Sequence, residues 1–191
     1  MPYPVIRKTS GFTLTELMVA MAISMAVLAA ITTTFMTQAK IYNAQEQINE
    51  MEQNARGALD VITRELKMAG YKPNGGTFVG ITYSTSQLRI QADLVGDDGL
   101  TTGTNEDIIY SHDNSNKQIL RNGAVLADNI TAFTFSYLDS AGASTSISAN
   151  IRQVSISITA QTAHPDPNYT ANNGYRTYPV TATVTPPNLG L

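Results

Sequence analysis

Charged residues are missing from one long stretch near the start of the chain. Residues 17–39 contain none, and large apolar side chains there fall on all sides of a helix. A helix that is apolar all round belongs in a protein core or a membrane. These 23 residues, at about 1.5 Å each, are long enough to cross a hydrocarbon layer about 30 Å thick. The pattern predicts a membrane-spanning helix.

The pattern then changes to a single apolar stripe on the same predicted helix. The apolar positions recur every three or four residues, so they share one face. They are Ile48, Met51, Ala55, Leu59, Ile62, Leu66 and Ala69. Gly70 supplies a helix end and Pro73 prevents continuation. One helix is therefore predicted over residues 12–69, with its second half packed on a core.

The rest of the chain predicts β-strands. Its runs are rich in β-branched and aromatic residues, and glycine- and asparagine-rich turns separate them. The predicted strands are 78–83, 87–91, 108–111, 118–120, 125–126, 130–137, 151–159 and 177–185. Asn122-Gly123 predicts a tight hairpin. The expected fold class is α+β: a long helix packed on one antiparallel sheet.

Composition excludes several kinds of function. The net charge is −3 and no stripe of lysine or arginine exists, which argues against binding to nucleic acid. The chain has no cysteine, so thiolate metal sites, disulfides and cysteine nucleophiles are ruled out. Neither a Gly-x-Ser-x-Gly turn nor a phosphate-binding loop occurs. We expect no enzyme activity.

A glutamate stands at the head of the apolar stretch. A carboxylate near the bilayer centre costs roughly 2.5–3.5 kcal/mol on insertion scales, so Glu16 needs a partner. If the chain were cut after Gly11, the new amine of Phe12 would lie four positions before Glu16. Within one helix this is a local contact. Between staggered chains, it would be an intermolecular pair that fixes their register.

The short basic leader, Gly11, Phe12, Glu16 and the apolar stretch together resemble the signal of the prepilin family. This resemblance implies that a prepilin peptidase cuts between Gly11 and Phe12 and that Phe12 is N-methylated. It also implies that Glu16 neutralises the Phe12 amine of a neighbouring subunit. Two alternatives remain: a secretory signal peptide cut after Ala22 or Ala29, and an N-terminal anchor that is never cut.

A finer resemblance covers residues 54–59, 64–71, 129–139 and 151–154, which are similar to PilW/PulJ-type minor pilins. It implies a minor pilin of a type IV pilus that helps to initiate assembly or forms a tip complex. The alternatives are a minor pseudopilin of type II secretion and an anchored periplasmic binding or adhesion module. The implied partners are other major and minor pilins, prepilin peptidase, the inner-membrane assembly platform and membrane lipid.

The expected organisation has three parts. Residues 1–11 form the leader, residues 12–39 the transmembrane and polymerisation helix, and residues 40–191 a periplasmic head. The head divides into an amphipathic helix half, 40–70, and a β-rich domain, 71–191. Arg7 and Lys8 precede the span, which predicts an inner-membrane protein with its N-terminus inside. It would then enter a pilus or pseudopilus.

An acidic loop region is a weak candidate for calcium. Carboxylate-rich loops can hold Ca²⁺. The acidic residues of this region are Asp93, Asp97, Asp98, Glu106 and Asp107. Their spacing matches no EF-hand, and the alternative interpretation is a solvated acidic turn. We expect no other cofactor.

Overall fold

A computed structural model describes residues 11–95 and 99–190. Within these ranges one α-helix, α1 (Leu14–Met68), precedes eight strands. The strands are β1 (Ile81–Thr82), β2 (Gln87–Gln91), β3 (Asp107–Asp113), β4 (Gln118–Arg121), β5 (Ala124–Ala127), β6 (Ile130–Leu138), β7 (Gln153–Gln161) and β8 (Thr177–Val184). The chain divides into two units, the first ending at Gln45 and the second beginning at Glu46.

In the first unit, α1 exposes its apolar side chains. An 18-residue window of the helix has a mean hydropathy of 2.1 and is not buried at all, so the helix is a candidate membrane span by length and composition. Hydroxyl groups of this stretch bond to carbonyl oxygens one turn back. Thr32 donates to Leu28 and Thr37 to Thr33, at 2.8 and 2.9 Å. These bonds satisfy the hydroxyls without water, which suits an apolar environment.

In the second unit, α1 buries the predicted stripe. Met51, Ala55, Ile62 and Leu66 are buried, and so is Ala58, which the sequence analysis did not include. Ile48 and Leu59 are partly buried against the same core. The amphipathic pattern is confirmed.

The helix ends where the sequence predicts. Gly70 has a φ of +78°, the left-handed conformation that glycine adopts most readily, and its N–H donates to the carbonyl of Gln91 at 2.9 Å. A Cβ on Gly80 would collide with the backbone of Gly70. The helix end and the start of β1 therefore approach so closely that only glycine fits at position 80.

The strands form two sheets, whereas the sequence predicts one. β1 to β5 make a five-stranded antiparallel sheet in chain order, and β6, β7 and β8 make a three-stranded one. Asn129, at a φ of +58°, turns the chain between β5 and β6. The N–H of Ile130 then donates to the carbonyl of Lys117 at 2.8 Å. β6 thus begins beside the end of the first sheet and pairs with β7 instead of β5.

Most strand positions agree with the prediction, and the Asn122-Gly123 hairpin is confirmed. Both of its residues have left-handed backbones, with φ values of +50° and +81°, as a two-residue hairpin requires. β1 is shorter than the predicted 78–83. It begins only after Gly80, where the chain lies against the backbone of Gly70.

The three-stranded sheet has one apolar and one hydroxyl-rich face. Val154, Ile156 and Ile158 of β7 are fully buried, as their alternation predicts. The exposed side chains of β8 are Thr177, Pro179, Thr181 and Thr183. β8 pairs only with β7 among the described residues, so it forms an edge of this sheet.

Candidate processing and assembly site

Residues 11–13, which directly precede α1, are exposed and belong to no helix or strand. Phe12 is 91% exposed. A Cβ on Gly11 would meet no atom within 4 Å, and the backbone of Gly11 lies outside the left-handed region. Neither packing nor backbone conformation therefore requires a glycine at position 11. This leaves recognition by another protein as a physical reason for a small residue there.

Glu16 closes a capping box at the start of α1. The N–H of Thr13 donates to Glu16 Oε2 at 2.9 Å, and the Thr13 hydroxyl donates to the same oxygen at 2.8 Å. The N–H of Glu16 donates in return to Thr13 Oγ1 at 3.3 Å. A threonine and a glutamate three residues apart satisfy two unpaired N–H groups reciprocally. The sequence Thr13-Leu14-Thr15-Glu16 displays this signature, but the predicted helix start did not use it.

The capping box gives Glu16 a role inside a single chain. Its carboxylate accepts two hydrogen bonds from Thr13 and compensates the positive end of the helix dipole. The presence of Glu16 therefore does not by itself require a neighbouring subunit. Its negative charge nevertheless has no cationic partner among the described residues, since none of their ion pairs includes Glu16.

The acidic loop uses its carboxylates to hold the backbone. Glu106 is 3% exposed and accepts the N–H groups of Leu94, Val95 and Gly103 at 2.9, 2.9 and 2.6 Å. The hydrogen bond from Val95 is the largest cause that lowers the pKa of the Glu106 carboxyl, and burial opposes it. Glu106 thus anchors the loop as an ionised group.

Asp93, Glu106 and Asp107, the calcium candidates that the structure describes, are not grouped as a metal site. Asp107 forms a two-pronged ion pair with Arg89, with Nε 2.8 Å from Oδ1. Asp93 accepts the N–H of Gly99 at 3.2 Å. Asp97 and Asp98 lie outside the described residues. Within those residues, no three histidine, aspartate or glutamate side chains are grouped as a metal site.

A polar network joins α1 to the five-stranded sheet. The hydroxyl of fully buried Tyr110 donates to Glu65, which also pairs with Arg121 at 2.8 Å. Arg121 donates onward to Asn105 at 2.9 Å. Burial raises the pKa of Tyr110, and the bond to Glu65 raises it further. Tyr110 therefore stays protonated and donates a hydrogen bond to the carboxylate.

Two comparisons with known proteins give a match, one over the amino-terminal segment and one over a larger part of the chain. Residues 6–32 match the family described as the prokaryotic N-terminal methylation motif. Among solved structures, a type IV-like pilin from Thermus thermophilus is similar at 16% sequence identity, with a TM-score of 0.46. The likeness covers 69% of this chain and 94% of that one. No functionally curated protein matches.

The matched segment contains Gly11, Phe12 and Glu16 and runs into the exposed apolar part of α1. The β-rich part lies outside this match. The chain therefore carries a prokaryotic N-terminal methylation motif at the head of a long apolar helix.

Proposed function

We propose that the chain is a minor pilin of a type IV pilus, similar to the PilW/PulJ type, that helps to initiate the fibre or forms part of its tip complex. The observation that carries this proposal is the position of the methylation motif. It covers the junction between a basic segment and an apolar helix whose side chains are exposed in the single chain. Such a surface needs lipid or neighbouring helices to cover it.

Each part of the chain would have its own role. Residues 1–11 would be a leader, residues 12–39 would span the inner membrane with the N-terminus inside, and residues 40–191 would form the periplasmic head. Prepilin peptidase, the assembly platform and other pilins would be the partners. The subunit would work by packing and not by catalysis, and calcium binding at the acidic loop is not part of the proposal.

We expect the mature protein to begin with N-methyl-Phe12. Gly11 is exposed, and no described atom lies within 4 Å of a Cβ placed on it, so a peptidase can reach the Gly11–Phe12 bond. Mass spectrometry of the mature N-terminus measures this directly. A chain that begins at Ile23 or Ala30 would instead establish a secretory signal peptide, and an uncut chain would establish a plain anchor.

A pair of glycine variants gives the matched control. Gly11→Val should leave full-length precursor in the membrane, because it places a branched side chain beside the scissile bond. Gly57→Val should be processed normally, since Gly57 also has no neighbour within 4 Å of a Cβ but lies far along the helix. Equal processing of the two variants would remove Gly11 from the cleavage site.

Glu16 variants separate its two possible roles. Glu16→Gln keeps an oxygen acceptor for the capping box but loses the charge, whereas Glu16→Ala loses both. If the charge pairs with a neighbour's Phe12 amine, both variants should lower recruitment and fibre number. If capping is the only role, Glu16→Gln should assemble like the wild type. Sheared fibres and crosslinks between the helix heads provide the measurement.

Recovered partners distinguish the proposal from the related functions. The full-length protein should be isolated from membranes by affinity and its companions identified by mass spectrometry. Pilus motor and retraction components support the minor pilin, whereas secretin-linked secretion components indicate a pseudopilin of type II secretion. A subunit that never enters sheared fibres would be an anchored binding or adhesion module.

A further inference from the structure

The three-stranded sheet borders a groove. No residue of α1 or of the methylation motif lines it. It has a volume of about 460 Å³ and lies between one strand and two loops. We call it the hydroxyl groove. Its lining residues come from three segments: Tyr83, Ser84, Thr85; Phe135, Ser136, Tyr137; and Ser144, Thr145, Ser146. This volume is within the range of about 300–1,000 Å³ that small-molecule sites occupy.

The lining of the groove is uncharged and rich in hydroxyl groups. None of its nine lining residues is charged, and every one except Phe135 carries a hydroxyl. The side-chain hydroxyls of Thr85, Ser136, Ser144 and Ser146 make no hydrogen bond to another described residue. A ligand entering the groove would therefore meet hydroxyls that can both donate and accept.

Aromatic rings form part of the same wall. The rings of Tyr83 and Tyr137 are 5.3 Å apart between centroids, and those of Phe135 and Tyr137 are 5.7 Å apart. Tyr137 is buried, but Tyr83 is 38% exposed. The electron-rich face of such a ring attracts weakly positive C–H groups, which line one face of a sugar ring.

The walls of the groove are fixed by hydrogen bonds from outside it and across it. The N–H of Tyr83 donates to Ser148 Oγ at 2.9 Å, and the N–H of Thr145 donates to the Tyr137 carbonyl at 3.0 Å. The Tyr137 hydroxyl donates to the carbonyl of Gln87 at 3.2 Å. The three segments are thus held in place before any ligand arrives, which reduces the entropy lost on binding.

The lining argues against other ligand classes. Nucleic acids, phosphates and acidic sugars need cationic side chains, and the groove has none. A lipid chain needs walls that are mainly apolar, whereas the surface of this groove is divided almost equally between polar and apolar atoms. A neutral sugar matches both halves of the lining, since it offers hydroxyls on its edges and C–H groups on its faces.

We propose that the hydroxyl groove binds a short segment of a neutral glycan. Tyr83 stacks on one sugar ring, and the free hydroxyls of the two loops bond to the sugar's edge. The proposal concerns the head alone and does not depend on whether the chain is processed or enters a fibre. Its failure would leave the proposed pilin function untouched.

The test uses the full-length protein in a detergent without a sugar head group. Cellohexaose, chitohexaose and maltoheptaose serve as neutral probes of different linkage, and an oligogalacturonate of similar length serves as the acidic probe. Saturation-transfer NMR detects binding, and titration gives Kd. We expect at least one neutral probe to bind with a Kd of about 1 mM or tighter and the acidic probe to bind more weakly.

Three variants locate the site. Tyr83→Ala should weaken binding about tenfold by removing the stacking face. Ser146→Arg should block the groove from an exposed loop without touching the core. Tyr71→Ala is the matched control, because Tyr71 is 43% exposed and lies outside the groove. Thermal melts of all three variants verify that they are folded.

Clear outcomes would overturn the proposal. Failure of all three neutral probes to bind at about 10 mM would do so, as would preference for the acidic probe. Binding that Ser146→Arg and Tyr83→Ala both leave unchanged would place any sugar site elsewhere. A loss of sugar binding in Tyr71→Ala equal to that in Tyr83→Ala would also place the site elsewhere.

Discussion

Replacing Leu66 by aspartate should unfold the second unit of the chain. Leu66 is fully buried in the core that α1 makes with both sheets. Leu66→Asp removes the packing of a large apolar side chain and places a carboxylate among the apolar side chains of the core. A loss of more than about 4 kcal/mol is expected, which approaches the total stability of many domains. Circular dichroism melts of the full chain in detergent measure the loss as a missing or strongly lowered transition.

A neighbouring position provides the control for Leu66→Asp. Met68 is also apolar and lies two residues later on α1, but it is 43% exposed. Met68→Asp makes the same chemical change in contact with water and should cost less than about 1 kcal/mol, mainly through the helix dipole. If both variants melted like the wild type, the apolar stripe of α1 would not be the core of this unit.

Removing the Glu65 carboxylate should cost about 2–4 kcal/mol. It would leave the buried Tyr110 hydroxyl without an acceptor and Arg121 without its counter-charge. Glu65→Gln keeps an acceptor for Tyr110 and should cost less than Glu65→Ala. Denaturant unfolding of the full chain in detergent measures the difference as a shift in midpoint at unchanged slope.

An exposed ion pair on the same helix gives the comparison. Arg64 and Asp60 form a pair, but their side chains are 71% and 66% exposed. Asp60→Ala should therefore change the free energy of unfolding by less than about 1 kcal/mol. If Glu65→Ala cost no more than Asp60→Ala, the Glu65 network would be a surface feature that does not hold the helix to the sheet.

Periodicity explains why much of this fold could be predicted. The spacing of Met51, Ala55, Ile62 and Leu66 requires only that a helix turns every 3.6 residues. The helix end at Gly70 depends equally on local chemistry. The Thr13–Glu16 capping box is also a local pattern, so it can be recognised from the sequence alone.

Long-range pairing explains what could not be predicted. Glu65, Tyr110 and Arg121 meet only because β3 and β4 pair in one register and pack on α1. The division into two sheets depends on how the chain turns at Asn129, and alternation within a strand does not encode it. The hydroxyl groove likewise joins residues 83–85 to residues 135–137 and 144–146, which lie much later in the sequence.

The predicted processing site is a different case. Such a motif is recognised by another protein, so the fold of this chain does not determine its residues. Gly11 and Phe12 make no contact with the described part of the chain that would fix their identity. Their cleavage and methylation, and the pairing of Glu16 with a neighbour, therefore stay predictions until the mature chain is analysed. The methylation motif at residues 6–32 is what the comparisons add to the sequence pattern.

The edge strand β8 has a consequence for how copies of this protein associate. An unpaired strand edge is a template on which a second chain can extend the sheet, and natural proteins often interrupt such edges with charges or proline. β8 has no charged residue, but Pro179 lies within it and lacks the N–H that a continuous ladder would use. Growth of the sheet from one head to the next is therefore interrupted at Pro179.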